Sequence, residues 1–329
     1  MPEIKTPICD LLGIKVPIIQ APVGNATTPS LAAAVSNAGA LGMLSLTWRS
    51  KASVREQIRE TQAQTNNPFG INLVLEWPQE ARVNLCLEAG VRIFSFFWGD
   101  PTPYMGLLKE AGAIVFQCVG SVAEAGLAVG AGADIVVAQG WEAGGHVRGN
   151  VSTMVLVPRV VDAVSPVPVV AAGGIADSRT AKAAFALGAQ AVWMGTRFLA
   201  SEEALIHPRY RQALITASEE DTVHTELFNI GWPDAPHRVI RNTTFDSWVA
   251  SGEPVPGERP GEDEEVARDG RLSIIRYSDA FAGPDVEGDV EGLPFYAGQS
   301  AGFVDEIEPA GKIVQRIVDE LERTVEPRK

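Results

Sequence analysis

The sequence predicts an α/β protein built as a (β/α)8 barrel, with a smaller cap inserted after the eighth strand. Three observations predict it. Short apolar runs alternate with helical patterns eight times along roughly the first two hundred residues, which implies parallel strands joined by right-handed crossovers. The turn after the first run contains no G-x-G-x-x-G, so a doubly wound dinucleotide fold is disfavoured. The chemically unusual residues fall at the ends of the apolar runs, where a barrel carries its site.

Residues 16–23 (VPIIQAPV) read as the first strand, and residues 28–37 as a helix with Pro29 near its start and Gly39 beyond its end. Residues 41–46, 69–75 and 91–98 read as the second to fourth strands, separated by helices over 51–64 and 79–88. A helix before Gly112 leads to the fifth strand, 113–119, after which Ser121 suits a helix cap. The sixth, seventh and eighth strands are read at 135–139, 167–172 and 191–194. The barrel is thus assigned to residues 1–212, a cap to 213–293, and a segment returning to the barrel to 294–329, with its last helix over 309–324. In the cap, the acidic run Glu262, Asp263, Glu264, Glu265 reads as a solvated loop.

With 46% hydrophobic and 21% charged residues the chain has the composition of a globular enzyme. Its net charge of −14 disfavours nucleic acid and anionic membranes as partners. Cys9, Cys86 and Cys118 are odd in number and far apart, with no CxxC or His/Cys ligand spacing. A reduced, cytoplasmic chain without a metal site is expected. The start resembles no signal peptide, and no run approaches membrane-spanning length.

The stretch QGWEAGGHVRG, 139–149, is the chemical centre of the chain. The pair Gly144, Gly145 follows the sixth strand, Gly173, Gly174 follows the seventh, and Gly195, Thr196 follow the eighth. Loops of this kind in a barrel hold a phosphate on backbone N–H groups. Asn72, Gln117 and Gln139 are amides in otherwise apolar strands, and a flat heterocycle with polar edges would give them partners. Phosphate on one side and such a ring on the other suggest a mononucleotide, FMN first. His146 stands on the sixth loop, as a general base or as an imidazolium that holds an anion. His207 reads as structural, and His224 and His237 as packing or surface residues of the cap.

The motifs PIIQAPV, FGINL, QGWEAGGH, AAGGIAD and MGTRFLAS, in this order, resemble the nitronate monooxygenase (2-nitropropane dioxygenase) family. The resemblance covers the barrel and implies noncovalent FMN between barrel and cap. It assigns Asn72 and Gln139 to the flavin, Gly144 and Gly174 to the phosphate, and Trp193, Met194, Gly195 and Thr196 to the last phosphate loop; Gly145 and Gly173 join the phosphate cup as partners in the glycine pairs. Backbone at Ala21, Pro22 and Val23 would lie against the isoalloxazine, and His146 would be the catalytic base or anion anchor. The implied reaction oxidises an alkyl nitronate with oxygen to a carbonyl compound and nitrite. Three departures stand out: QAPV in place of QAPM, AGGHVRG in place of AGGHRG, and SFFWG where some members carry a histidine. Phe97 and Trp98 are therefore assigned to an apolar substrate slot, with Gln299 and Ser300 from the returning segment beside them. The partners expected are a small-molecule substrate and oxygen, with homo-oligomerisation left open. The same motifs also resemble flavin-dependent NAD(P)H:quinone and enoyl-type reductases. A noncatalytic nucleotide-binding barrel is the remaining alternative.

Overall fold

The computed structural model describes residues 5–323. The eight expected strands form: β1 (Ile18–Gln20), β2 (Gly42–Ser45), β3 (Phe69–Val74), β4 (Ile93–Phe97), β5 (Ile114–Val119), β6 (Ile135–Gln139), β7 (Val169–Ala172) and β8 (Ala191–Met194). They lie parallel in the order β1-β8-β7-β6-β5-β4-β3-β2. A parallel bridge between Ile19 and Leu41 joins β1 to the start of β2 and closes the cylinder. The seam is reinforced by Gln20, whose Oε1 accepts from the Met43 N–H at 2.9 Å. The first strand is shorter than expected: after Gln20 the chain leaves the sheet and makes a 3-10 turn at Gly24–Ala26.

Side chains alternate along each strand, and the alternation sorts them into two cores. Inside the cylinder Met43, Ile93, Phe116, Val137 and Ala191 pack together above Ile8, Cys9 and Leu12 of the first helix, which plugs the N-terminal end. Outward-facing residues such as Ile18, Val136, Ala171 and Val192 pack under the helices. Helix starts are capped as their residues predict. Ser121 Oγ accepts from Glu124 N–H at 3.2 Å, and Asp177 accepts from Thr180 N–H at 2.9 Å.

The last helix, Ala310–Glu322, packs between helices Pro29–Asn37 and Ser178–Ala186. Its apolar stripe, Ile313, Val314, Ile317 and Leu321, is buried there, so it occupies the eighth place in the outer ring. The expected end of that helix at Thr324 lies outside the described residues.

Beyond the barrel, two small antiparallel sheets form. One joins β9 (Thr222–Thr225), β10 (His237–Ile240) and Phe295–Tyr296, and takes in Gly145–His146 from the loop after β6. The other joins Glu265–Asp269, Leu272–Ile275 and Val286–Gly288. The first sheet therefore draws strands from both sides of the stretch read as a cap. The acidic run is not uniformly solvated either. Glu262 closes on the buried guanidinium of Arg259, while Asp263, Glu264 and Glu265 are exposed.

Cys9, Cys86 and Cys118 are free thiols. Among the described residues no cluster of His, Cys, Asp or Glu is arranged to hold a metal, and no helix is long and apolar enough to cross a membrane.

Candidate active site

A cavity of about 360 Å³ opens at the C-terminal ends of the strands, the size of a small-ligand site. Ala21, Pro22 and Val23 form one wall, with Asn72 and Gln139 at its floor. Gly144, Gly145, Gly173 and Gly174 contribute the loops after β6 and β7, and Trp193, Gly195 and Thr196 the end of β8. His146, Phe97 and Ser300 complete the predicted residues on the wall.

Four predicted site residues, Gln117, Met194, Trp98 and Gln299, are not on the wall. Strand parity explains the first two. Phe116 and Cys118 face the barrel interior, so Gln117 between them points toward the helices; its Nε2 reaches only Cys118 O at 3.4 Å and its Oε1 is buried without a partner. Trp193 likewise faces inward, and Met194 joins the outer core. Trp98, with φ 61°, follows the end of β4 and packs behind the wall, its ring 5.1 Å from Trp232 and 5.2 Å from Phe97 and under the Arg148 guanidinium at 5.5 Å. Arg148 pairs with Glu124 at 3.1 Å. Gln299 begins a 3-10 turn and serves through its backbone, its N–H donating to Glu142 O at 3.0 Å.

The site residues predicted from sequence do not include Ser45, Ser95 and Cys118 on the floor, nor Trp48, Trp232, Asp279, Phe281 and Tyr296 on the upper wall. Strand parity would have found the floor residues. The upper-wall residues other than Trp48 arrive from aperiodic segments, and no local signal announces them.

Asn72 Nδ2 donates to Ser95 O at 3.2 Å and stands 3.3 Å from Ser95 Oγ. Gln139 Nε2 donates to His146 O at 3.1 Å and so ties the end of β6 to the histidine. Gly144 is required by the chain itself, since a Cβ there would stand 2.3 Å from Gly298 N. At Gly195 a Cβ would meet only Ala21 Cβ and Val23 Cγ2, at 3.5 and 3.6 Å, inside the cavity wall.

His146 is held by sheet pairing, not by a free loop. Gly145–His146 runs antiparallel to β10, His146 opposite His237 and Gly145 opposite Arg238. Its ring lies 4.0 Å from Trp232, 5.4 Å from His237 and 5.7 Å from Tyr296, centroid to centroid. Burial, and secondarily the His237 ring, push its pKa down to about 3. The surroundings of the imidazole thus favour its uncharged form, as suits a base or a hydrogen-bonding partner. His237 is fully buried and depressed to about 4 by the same desolvation. Ala235 O accepts from its Nδ1 at 2.9 Å, which makes Nε2 the bare nitrogen. His224 packs on Trp141 at 5.6 Å, and His207 caps helix Pro208–Thr216, its Nδ1 accepting from Arg209 N–H at 3.0 Å.

The family model described as "Nitronate monooxygenase" matches residues 5–320. The chain belongs to the nitronate monooxygenase family. It is an enzyme, an oxidoreductase of a flavin-dependent family, and the resemblance read from its five motifs holds across nearly the whole chain. The nitronate monooxygenase of Pseudomonas aeruginosa is 34% identical, over 94% of this chain and 97% of that protein. Other relatives carry different names. A (3aS,4S,5R,7aS)-5-hydroxy-7a-methyl-1-oxo-octahydro-1H-indene-4-carboxyl-CoA dehydrogenase of Mycobacterium tuberculosis is 30% identical over 96% of both proteins. Among solved structures, FabK from Thermotoga maritima superposes with a TM-score of 0.80 at 39% identity, covering 97% of this chain and 96% of that one. A nitroalkane oxidase from Streptomyces ansochromogenes follows at 0.76 and 26%, covering 95% and 97%. The named reactions of these similar proteins differ, while the two solved structures share the fold of this chain.

Proposed function

We propose that the chain binds FMN in this cavity and oxidises alkyl nitronates with oxygen, releasing a carbonyl compound and nitrite. The observation that carries the reading is the neutral imidazole of His146 on the wall of a cavity also lined by the glycine loops after β6, β7 and β8.

The residues present fit a flavin mononucleotide. Gly173, Gly174, Gly195 and Thr196 would hold the phosphate, at a loop where a Cβ on Gly195 would meet only Ala21 and Val23 of the cavity wall. Asn72 and Gln139 would meet the polar edge of the ring, and Ala21, Pro22 and Val23 its flank. FMN, when bound, supplies the redox chemistry that side chains lack. The protein's part is orientation and proton handling. Trp232, Phe281 and Tyr296 exclude water, and the uncharged imidazole can accept a proton from a substrate carbon or hydrogen-bond a nitronate oxygen. An anion seated beside the ring would also raise its proton affinity.

A second reading, reduction of the flavin by NAD(P)H followed by reduction of a neutral acceptor, is favoured by one observation. Among the described residues no lysine or arginine lines the cavity, so no fixed positive charge awaits an anion. Anaerobic mixing of the FMN-loaded protein with propionate 3-nitronate, NADH and NADPH in turn separates the two. Bleaching of the yellow colour by the nitronate alone supports the first reading; bleaching by a nicotinamide alone replaces it with the second.

A further inference from the structure

Asp279 is the one aspartate, glutamate, lysine or arginine among the described residues that line the cavity. Its backbone is fixed on both sides. Its N–H donates to Ile230 O at 3.0 Å, and its carbonyl accepts from Tyr296 Oη at 3.0 Å. The side chain rests against Gly231, next to Trp232 of the wall. Apart from its own backbone N–H, the carboxyl has no hydrogen-bond or ion-pair partner in the protein. Two other shielded carboxylates behave differently: Glu308 pairs with Arg197 at 2.6 Å, and Glu262 with Arg259. Shielded charges are ordinarily paired. A carboxyl left unpaired on a cavity wall is therefore available to a ligand.

Burial pushes the Asp279 carboxyl up to about 6, so both protonation states are accessible near neutrality. The titratable groups on the surrounding elements change charge elsewhere. Tyr296 is raised well above the ordinary phenol value and Cys118 is pushed up as a thiol. His146 and His237 are held down to about 3 and about 4.

We propose that Asp279 is the specificity-determining carboxyl of this cavity. Protonated, it donates to an oxygen of an anionic substrate; ionised, it accepts from an N–H or O–H of a neutral one and repels the anion. Binding of an anion is thereby coupled to uptake of one proton at Asp279. A cavity without a cation can in this way take a nitronate, and the same wall can hold a neutral acceptor at higher pH. The inference rests on this cavity being the substrate site, and it is independent of which cofactor fills the rest of it.

The test uses benzenesulfonate, anionic throughout, and neutral benzenesulfonamide, titrated against the purified holoprotein. Tryptophan fluorescence reports binding, because Trp48, Trp193 and Trp232 lie on the wall. For wild type, the benzenesulfonate Kd should weaken about tenfold per pH unit from about pH 6 to about pH 8. For Asp279→Asn it should stay flat and be roughly tenfold or more tighter than wild type at about pH 8. Benzenesulfonamide should show no such pH slope in either protein. Asp279→Ser, with folding checked by circular dichroism, repeats the measurement with a smaller side chain. Parallel pH slopes in wild type and both variants, or no binding of either ligand by wild type, would overturn the proposal. Protein that lacks flavin but keeps the Asp279-dependent slope would count against FMN alone.

Discussion

The His146 imidazole lies against the Trp232 indole, ring centroids 4.0 Å apart and planes inclined by 30°, with His146 Nε2 buried and without a partner. His237, opposite it in the ladder, is buried with a bare Nε2 of its own. Both rings are neutral in the folded protein down to about 3 and about 4, whereas in the unfolded chain they take up protons below about pH 6.5. Between those values the unfolded state binds more protons, so stability should be full above about pH 6.5 and fall as the pH drops toward 4. Urea midpoints measured across this range check it. A midpoint that does not move between about pH 7 and about pH 4.5 contradicts the neutral pair.

The same isolation of His146 makes it a clean target. His146→Asn removes the proton acceptor while the sheet pairing of Gly145–His146, made by backbone, remains. Turnover should fall at least about a hundredfold with a near-native flavin spectrum. Retained turnover removes His146 from the chemistry.

The glycines of the cavity separate by what a methyl group would strike. Gly195→Ala places a Cβ at ordinary contact distance from Ala21 and Val23, so the variant should fold normally and lose flavin occupancy, its FMN Kd weakened roughly tenfold or more. Gly144→Val would drive a Cβ into Gly298 N, at 2.3 Å, and should lower the melting temperature before any effect on cofactor is measured. A fully loaded Gly195→Ala protein would argue against a phosphate in that loop.

Gln117 supplies the opposite control. Its Oε1 is buried and unpaired and it faces away from the cavity, so Gln117→Leu should leave visible spectrum and turnover unchanged. Stability should hold within about 1 kcal/mol or rise, since an unsatisfied polar atom is removed. Loss of flavin in this variant would restore Gln117 to the site.

The barrel was legible because each strand is largely buried on both faces and reads as a mainly apolar run, bounded by residues that cap or stop helices, such as Ser121 and Asp177. The glycine loops were legible because glycine in this position is chemically conspicuous. Which way a residue faces was harder to read. Gln117 attracted attention as an amide, yet its plainer neighbour Cys118 holds the inward position. Parity counted from Phe116 would have separated them. Trp232, Asp279 and Tyr296 were invisible for a different reason. They reach the cavity through pairings between residues far apart in the chain, such as Val239 with Tyr296 and Ile230 with Ser278, and nothing local encodes those. Glu262 looked solvated because its partner Arg259 sits in a stretch without periodicity.

One feature of the fold orders its assembly in time. The ladder that carries His146 needs β10, and Gly298 N–H donates to Thr196 Oγ1 at 3.0 Å across the mouth of the cylinder. A nascent chain with all eight barrel strands outside the ribosome still has an unfinished pocket, lacking Trp232, Asp279, Tyr296 and Ser300. Completion of the cavity must then wait until synthesis is almost finished, and a chain interrupted before Ala297 would lack both part of the cavity wall and the last helix of the outer ring.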